Sequence, residues 1–489
     1  MIRVKNISRK KLFFLFLIVV ISIFVRFYHL DIKMRFIWDE GRDMMAIHRI
    51  VADKNITLFG PFNEIDGKKD FFGVFHYYLM APALFLANYD PIGPAIFTAF
   101  LGVISVILVY FLLREWTSEK KALLVSLFYA VSPLVIRYVQ WPWNPNTTPF
   151  FTFLYFLFLT KIIKNKNKKL IWTIFSGLLL GVLFQLHYFT IPLGIIYLII
   201  FLNNKDKRWH ELFLFILFFI LPNLTFLIFD LTHDFFYFKI LKETFMGESS
   251  QRYFSINLFN FFIVPFKYIF DLIFKLFFKN ILFTFFLEAI LFFSIFKSIK
   301  MFFKDKKITL SLMISFAWLV FLLMISFFPG VFNDYHSSYL WFGIFYFLID
   351  FFGQKKIALF SYFLISLLMF KNIDLNREPI WSENMPLVRE LSSFVVSDYE
   401  GNFEGKKINI ASFTDSDTRA TKYRYFLQKD NLIVDGIDQY SNSEIIYVIS
   451  PHLVEKNKDN PAWEISELRD LEWNKIGEKD GIFVYRIVK

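Results

Sequence analysis

LFFLFLIVVISIFVRFYHL (residues 12–30), followed at once by DIKMRFIWDEGRD (residues 31–43), decides the architecture. The first stretch is almost wholly apolar, and a helix needs about 20 such residues to cross a bilayer core. Arg3, Lys5, Arg9, Lys10 and Lys11 precede it, and cytoplasmic flanks collect Lys and Arg. The N-terminus is therefore expected inside. Trp38-Asp39-Glu40-Gly41-Arg42-Asp43 then emerges on the outer face, at membrane depth or just above it. Carboxylates at that level are costly to keep without a role, which makes them candidate site residues.

The rest of the chain repeats the same alternation. Of 489 residues, 56% are hydrophobic and 70 are Phe, and the mean hydropathy is +0.46. A soluble globular domain has no use for so many apolar runs, whereas a polytopic membrane protein does. Cys is absent, which excludes disulfides and thiolate metal sites. The net charge of +11 lies largely in short loops between apolar runs, so it sets orientation and argues little for a nucleic-acid partner. The first segment is too long for a signal-peptide core and is read as retained.

Ten further apolar segments follow, at 92–113, 122–136, 149–163, 170–186, 191–202, 211–229, 281–296, 308–328, 339–352 and 357–370. They give about eleven spans. Lys and Arg crowd the loops assigned inside, while the outer loops around Trp141, His187 and Asp334 have none. Residues 233–279 admit two readings, an outer interfacial helix or a span at 258–278. The second would put the later lysines outside, so the first is preferred. The expected fold is an all-α polytopic membrane protein, 1–370, with a long first outer loop at 31–90. That loop holds an amphipathic helix at 41–52 and an aromatic interfacial helix at 71–82. If the first of these helices starts early, Asp39 and Asp43 share one face. From residue 371 Phe becomes scarce and charge frequent. Helices at 386–394 and 418–427 and strands at 407–413, 444–450 and 481–488 predict a small extracytoplasmic α/β domain over 371–489.

An Asp-Glu pair just after the first span, a long first outer loop with interfacial helices, many spans and an outer C-terminal domain resemble the GT-C glycosyltransferases. Among these the chain is most similar to the protein O-mannosyltransferase and aminoarabinose transferase group. The resemblance covers roughly residues 10–370. It implies an integral enzyme of the cell membrane that moves a sugar from a polyprenyl-phosphate donor lipid to an acceptor hydroxyl of protein, lipid or glycan on the outer face. It makes Asp39 the base, supported by Glu40 and Asp43, since a hydroxyl attacking an anomeric carbon must lose its proton. The leaving phosphate needs cations or N–H donors aimed at it. Arg42, Arg137, His187, Arg252 and His336 are the candidates.

Further donor or sugar contacts are expected from His76, Tyr77, Trp141, Trp143, Asn144, Asn146, Tyr188 and Asp334, the Trp faces being suited to sugar rings. Two features depart from the family pattern. The loop after the third span offers Asn144 and Asn146 where relatives carry an acid, and the paired prolines of the first loop are replaced around Phe75-His76-Tyr77-Tyr78. No metal-ligand, Walker or Rossmann motif stands out; no cofactor is expected, with a divalent cation left open. The alternatives are a flippase for lipid-linked glycans, which predicts internal repeats and broken helices, and a lipid-linked glycan polymerase or ligase.

Overall fold

The structure is a computed structural model and describes residues 8–65, 68–165, 168–204, 208–246, 258–327, 332–354, 356–375 and 384–489. Among the described residues it is mainly helical, with a separate two-stranded hairpin and a four-stranded sheet. Every apolar segment read from the sequence contains a helix. Among the described residues, five helices are long and apolar enough to cross a membrane: Ile92–Arg114, Lys169–Leu186, Trp209–Thr232, Ile281–Asp305 and Leu310–Phe327. The helices Leu193–Leu202 and Trp341–Phe352 have only 10 and 12 residues. At about 1.5 Å per residue they fall short of a hydrocarbon core of roughly 30 Å. Length alone therefore does not make eleven crossings.

The expected segment at 122–136 is cut into Glu119–Val131 and Pro133–Tyr138. Pro133 explains the break, because its ring drives the preceding residue out of helical backbone. Ser132 accordingly has ψ 122°, and its Oγ donates to Leu276 O at 2.8 Å. The second piece carries Arg137 and Tyr138 to the site described below.

In lipid, helices gain little from hiding apolar surface from one another, so close van der Waals contact must hold them. Aromatic rings supply much of it. Phe153 meets Phe342 at 5.1 Å and 89°, and Phe128 meets Phe345 at 6.2 Å and 77°, both edge to face. Glycines let backbones approach elsewhere: a Cβ on Gly177 would stand 2.4 Å from Phe215 O. The helix Trp209–Ile220 turns Trp209, Phe213, Ile216 and Leu217 outward, a face that only lipid suits.

The helix Leu258–Leu276 falls where two readings were open. Phe261 contacts Phe327 at the end of Leu310–Phe327, Tyr268 OH lies 2.7 Å from Ser337 Oγ, and Lys275 pairs with Asp334. It thus meets the site end of the bundle along its length, while Phe262, Ile263 and Phe266 face outward.

In the first loop, the helix Trp38–Val51 starts three residues before the expected position. A hairpin of β1 (Phe62–Ile65) and β2 (Lys68–Phe71) follows, and then the helix Phe75–Leu86. In the C-terminal region, β3 (Ile408–Ser412) pairs in parallel with β4 (Ile445–Ser450), β4 pairs antiparallel with β6 (Ile482–Val488), and β6 with β5 (Trp473–Lys479). Helices Met385–Asn402 and Thr421–Lys429 accompany the sheet. β5 was not expected. It is a mostly polar edge strand with a register shift between Lys475 and Gly477, and such a bulge erases the alternation by which strands are read.

The C-terminal sheet region rests on the first loop. One apolar cluster joins Phe36, Met44, Ile47 and Leu84 to Tyr425, Phe426 and Ile449. Arg389 pairs with Asp90 at 2.6 Å. The long loop after the first helix, Arg9–Phe27, is therefore the platform on which the C-terminal region is built.

Candidate active site

The helix Trp38–Val51 begins where Ile37 leaves extended backbone, and Glu40 closes its first turn by accepting from Ile37 N at 3.0 Å. Glu40 is 2% exposed, and burial pushes its carboxyl up to about 8, against the pull of Arg35. It is a cap rather than a cavity wall. Helical spacing next places Asp39, Arg42 and Asp43 within one turn. Arg42 Nη1 lies 2.9 Å from Asp39 Oδ1, while its Nε and Nη2 lie 3.0 and 2.9 Å from Asp43 Oδ1.

The two aspartates have different surroundings. Asp39 borders a cavity of about 800 Å³. Burial raises its carboxyl above the ordinary range, Arg42 draws it back, and the charge of Asp43 raises it further. Asp43 is wholly buried behind it, and Tyr77 OH donates to its Oδ1 at 3.0 Å. Burial pushes Asp43 up, while Arg42 and Tyr77 favour its charged form. His76 Nε2 stands 3.9 Å from Asp43 Oδ2. Burial, with Arg42 nearby, holds the ring down to about 3, so this is a neutral imidazole against a carboxylate and not an ion pair.

Four parts of the chain wall the cavity. The first loop gives Arg35, Trp38, Asp39, Arg42 and Met45. The helix Pro133–Tyr138 and the turn after it give Arg137, Tyr138, Trp141 and Trp143. Asn333, Asp334 and Tyr335 come from the loop before Trp341–Phe352. The C-terminal region adds Ser416, Asp417, Arg419, Thr421 and Ile437. Arg35 stacks over Trp141 at 4.7 Å, and Trp143 meets the edge of Tyr335 at 4.5 Å. Arg137 is exposed toward this space and makes no ion pair with a described residue.

Of the residues expected from sequence, Asp39, Arg42, Arg137, Trp141, Trp143 and Asp334 meet at the cavity. Glu40, Asp43, His76 and Tyr77 lie in the layer behind it. His187 and His336 are not walls either: both are buried, with rings 5.4 Å apart. Tyr335 covers them, its ring 5.8 Å from His187 and 4.1 Å from His336. Burial keeps both neutral, His336 near 4 and His187 well below its ordinary value. Tyr188 stacks flat on Phe72 at 5.4 Å, away from the cavity. Asn144 donates to Leu186 O at 2.7 Å and Asn146 to Trp141 O at 3.1 Å, so these amides brace the Trp turn. Arg252 lies outside the described residues. Arg35, Trp38, Tyr138 and the C-terminal residues were not anticipated; a cation and aromatics beside the Asp-Glu pair and Arg137 were the available signal for the first three.

The cavity carboxylates already face cations. Asp39 has Arg42, Asp334 has Lys275 at 3.0 Å, and Asp417 has Arg419 at 3.1 Å. Among the described residues no three His, Cys, Asp or Glu side chains gather as metal ligands.

Residues 74–226 match the family model described as dolichyl-phosphate-mannose-protein mannosyltransferase. A comparison with curated protein sequences gives no match. Among solved structures, ArnT from Cupriavidus metallidurans in the apo state is similar to the chain at TM-score 0.63 and 12% identity, with 98% of each chain covered. ArnT bound to undecaprenyl phosphate gives 0.61 and 11%, covering 96% of this chain and 97% of that one. The Archaeoglobus fulgidus oligosaccharyltransferase in complex with Zn and sulfate gives 0.52 and 13%, covering 89% and 67%. The fold is thus that of ArnT, and the chain resembles GT-C glycosyltransferases of the protein O-mannosyltransferase and aminoarabinose transferase group.

Proposed function

We propose that the chain is an integral-membrane glycosyltransferase that moves a sugar from a polyprenyl-phosphate donor to an acceptor hydroxyl on the outer face. The observation that carries this reading is the meeting of Asp39, Arg137 and the Trp141 and Trp143 rings in one cavity of about 800 Å³ at the end of a GT-C-type bundle. The lipid phosphate bound by ArnT, the family description and the lysine-rich loops on the opposite side support the donor class and the orientation.

The acceptor oxygen attacks the anomeric carbon. The bond from that carbon to the phosphate oxygen breaks, and its electron pair leaves with the polyprenyl phosphate. Arg137 faces the growing phosphate charge, a use for which a guanidinium fork is suited. The acceptor proton passes to Asp39, whose burial makes it a stronger base than an exposed aspartate. Arg42 fixes that carboxylate from one side and leaves its other oxygen for the acceptor. Trp141 and Trp143 offer faces and edges for the sugar. A carboxylate from the Asn144–Asn146 turn has no part in this scheme.

The test is transfer from polyprenyl-phosphate sugars by the purified protein and by Asp39→Asn. Folded Asp39→Asn that transfers sugar at the unaltered rate overturns the role of Asp39. Failure of the native protein on every polyprenyl-phosphate sugar overturns the donor class.

A further inference from the structure

The bundle alone does not hold the helix that carries Asp39. Its third residue past Trp38 is Gly41, and a Cβ there would stand 2.5 Å from Lys422 Cα, 2.6 Å from Lys422 N and 2.8 Å from Thr421 C. These neighbours are backbone, which cannot swing aside. Gly41 is therefore the notch into which the first turn of Thr421–Lys429 fits. Thr421 Oγ1 lies 3.0 Å from Trp38 O and 2.7 Å from Asp417 Oδ2. Its one hydroxyl hydrogen is shared between the Asp39 helix and a cavity-lining loop.

The fit continues along both helices. Lys422 is buried and anchored by Asp415 at 2.6 Å. Phe36 meets the rings of Tyr425 and Phe426 at 6.2 and 5.6 Å, and Gln428 Nε2 lies 3.4 Å from His48 Nδ1. The C-terminal helix thus lies on the first-loop helix from Trp38 to His48. Asp39 and Arg42 bracket Gly41, the point of closest approach.

We propose that the helix Thr421–Lys429, seated on Gly41, is a positioning element that holds the Asp39 carboxylate at its working place in the cavity. This rests on the reading of Asp39 as the base. Thr421 and Gly41 act through the helix they fix and touch no reacting atom in this role. A general base works only within hydrogen-bond reach of the proton it takes, and a misplacement of about 1 Å can cost roughly 10²-fold in rate.

The experiment uses the full-length purified protein with a polyprenyl-phosphate sugar and an acceptor. Gly41→Ala is expected to lower kcat about 10²-fold with the donor KM within about twofold. Alanine is the better helix former by about 1 kcal/mol, so the loss cannot come from a weaker helix. Gly401→Ala, at a glycine with nothing within 4 Å of its Cβ position, leaves kcat unchanged. Thr421→Val keeps the side-chain shape and removes the hydroxyl; it is expected to lower kcat about tenfold, and Thr421→Ser to restore it. If Gly41→Ala does not accumulate as folded protein, the Thr421 pair decides. Native kcat in Thr421→Val, or no recovery in Thr421→Ser, overturns the proposal. An active Asp39→Asn sinks the reading of the base itself. An inactive Asp39→Asn beside fully active positioning variants sinks only this inference.

Discussion

Asp39 and Asp43 share one guanidinium, yet they occupy two different regions. Asp39 looks into the cavity beside Arg137 and the Trp turn, while Asp43 sits behind it with Tyr77 and His76 and no exposure at all. The front layer is a place where a proton can be delivered and a phosphate met. The back layer is closed: Tyr77 donates to Asp43, and Arg42 pairs with the same carboxylate. Arg42 links the two, spending one edge of its fork on each carboxylate. What the contrast teaches is that acidity and depth in the membrane do not make a reactive group. On the proposed reading facing an opening does, and the back layer holds the front carboxylate in place.

The contrast is broken most directly by removing the front acid. Asp39→Asn keeps the shape and the contact with Arg42 but cannot take a proton, and transfer is expected to fall about 10³-fold. Asp43→Asn, assayed alongside, should retain more activity; equal losses would erase the distinction between layers. Arg137→Ala is next, with kcat/KM for the donor lowered about 10²-fold. Arg137→Lys should recover only part of it, since an ammonium lacks the planar fork. The third effect is on pH. Transfer needs Asp39 ionised, so the rate should rise with pH through an apparent pKa above about 4, the ordinary aspartate value. Arg42→Gln removes the charge that draws Asp39 back, so this limb should move to higher pH. A limb that stays in place in Arg42→Gln separates the two residues.

Sequence position fixes depth in the bilayer but not facing, and the candidate residues divide along that line. Asp39, Arg137, Trp141, Trp143 and Asp334 were legible because each is a polar or aromatic residue near the end of an apolar run. His187, His336, Asn144 and Asn146 satisfied the same criterion and turn inward. Their partners are backbone groups and rings brought in by other segments, which no local pattern announces. The same limit hid Thr421 and Arg419, separated from Asp39 by most of the chain and set at or just before the start of a polar helix whose seat on the first loop no local pattern announces. The helices were legible almost throughout, since an apolar run in lipid has few alternatives to a helix. Where the helices break was less so, although Pro133 and Pro222 mark two of the cuts. The early start of Trp38–Val51, which puts Asp39 and Asp43 on one turn, depends on the Glu40 cap.

The back layer can then be loosened by single atoms. Tyr77→Phe removes the hydroxyl that donates to Asp43 and should cost about 1 kcal/mol of stability, read as a lowered Tm, with kcat within about threefold of native. A far larger loss of kcat than of stability would move Tyr77 to the front layer.

The smallest effect belongs to Glu40. Its carboxyl is raised to about 8 in the folded protein, chiefly by burial, against about 4.3 in an unfolded chain. A raised acid binds its proton more tightly when folded, so this group costs no stability below about pH 4. It costs progressively more as the pH climbs toward 8, where the unfolded chain is ionised and the folded one is only half so. Glu40→Gln keeps an oxygen that can accept from Ile37 N and has nothing to ionise. Its Tm should therefore match the native value in acid, meet or exceed it at pH 8, and leave transfer within about twofold, since the cap needs an acceptor and not a charge. A Glu40→Gln protein that holds its Tm yet loses transfer would place Glu40 with Asp39 in the chemistry, and the line between the two layers would have to be redrawn through the first turn of the helix.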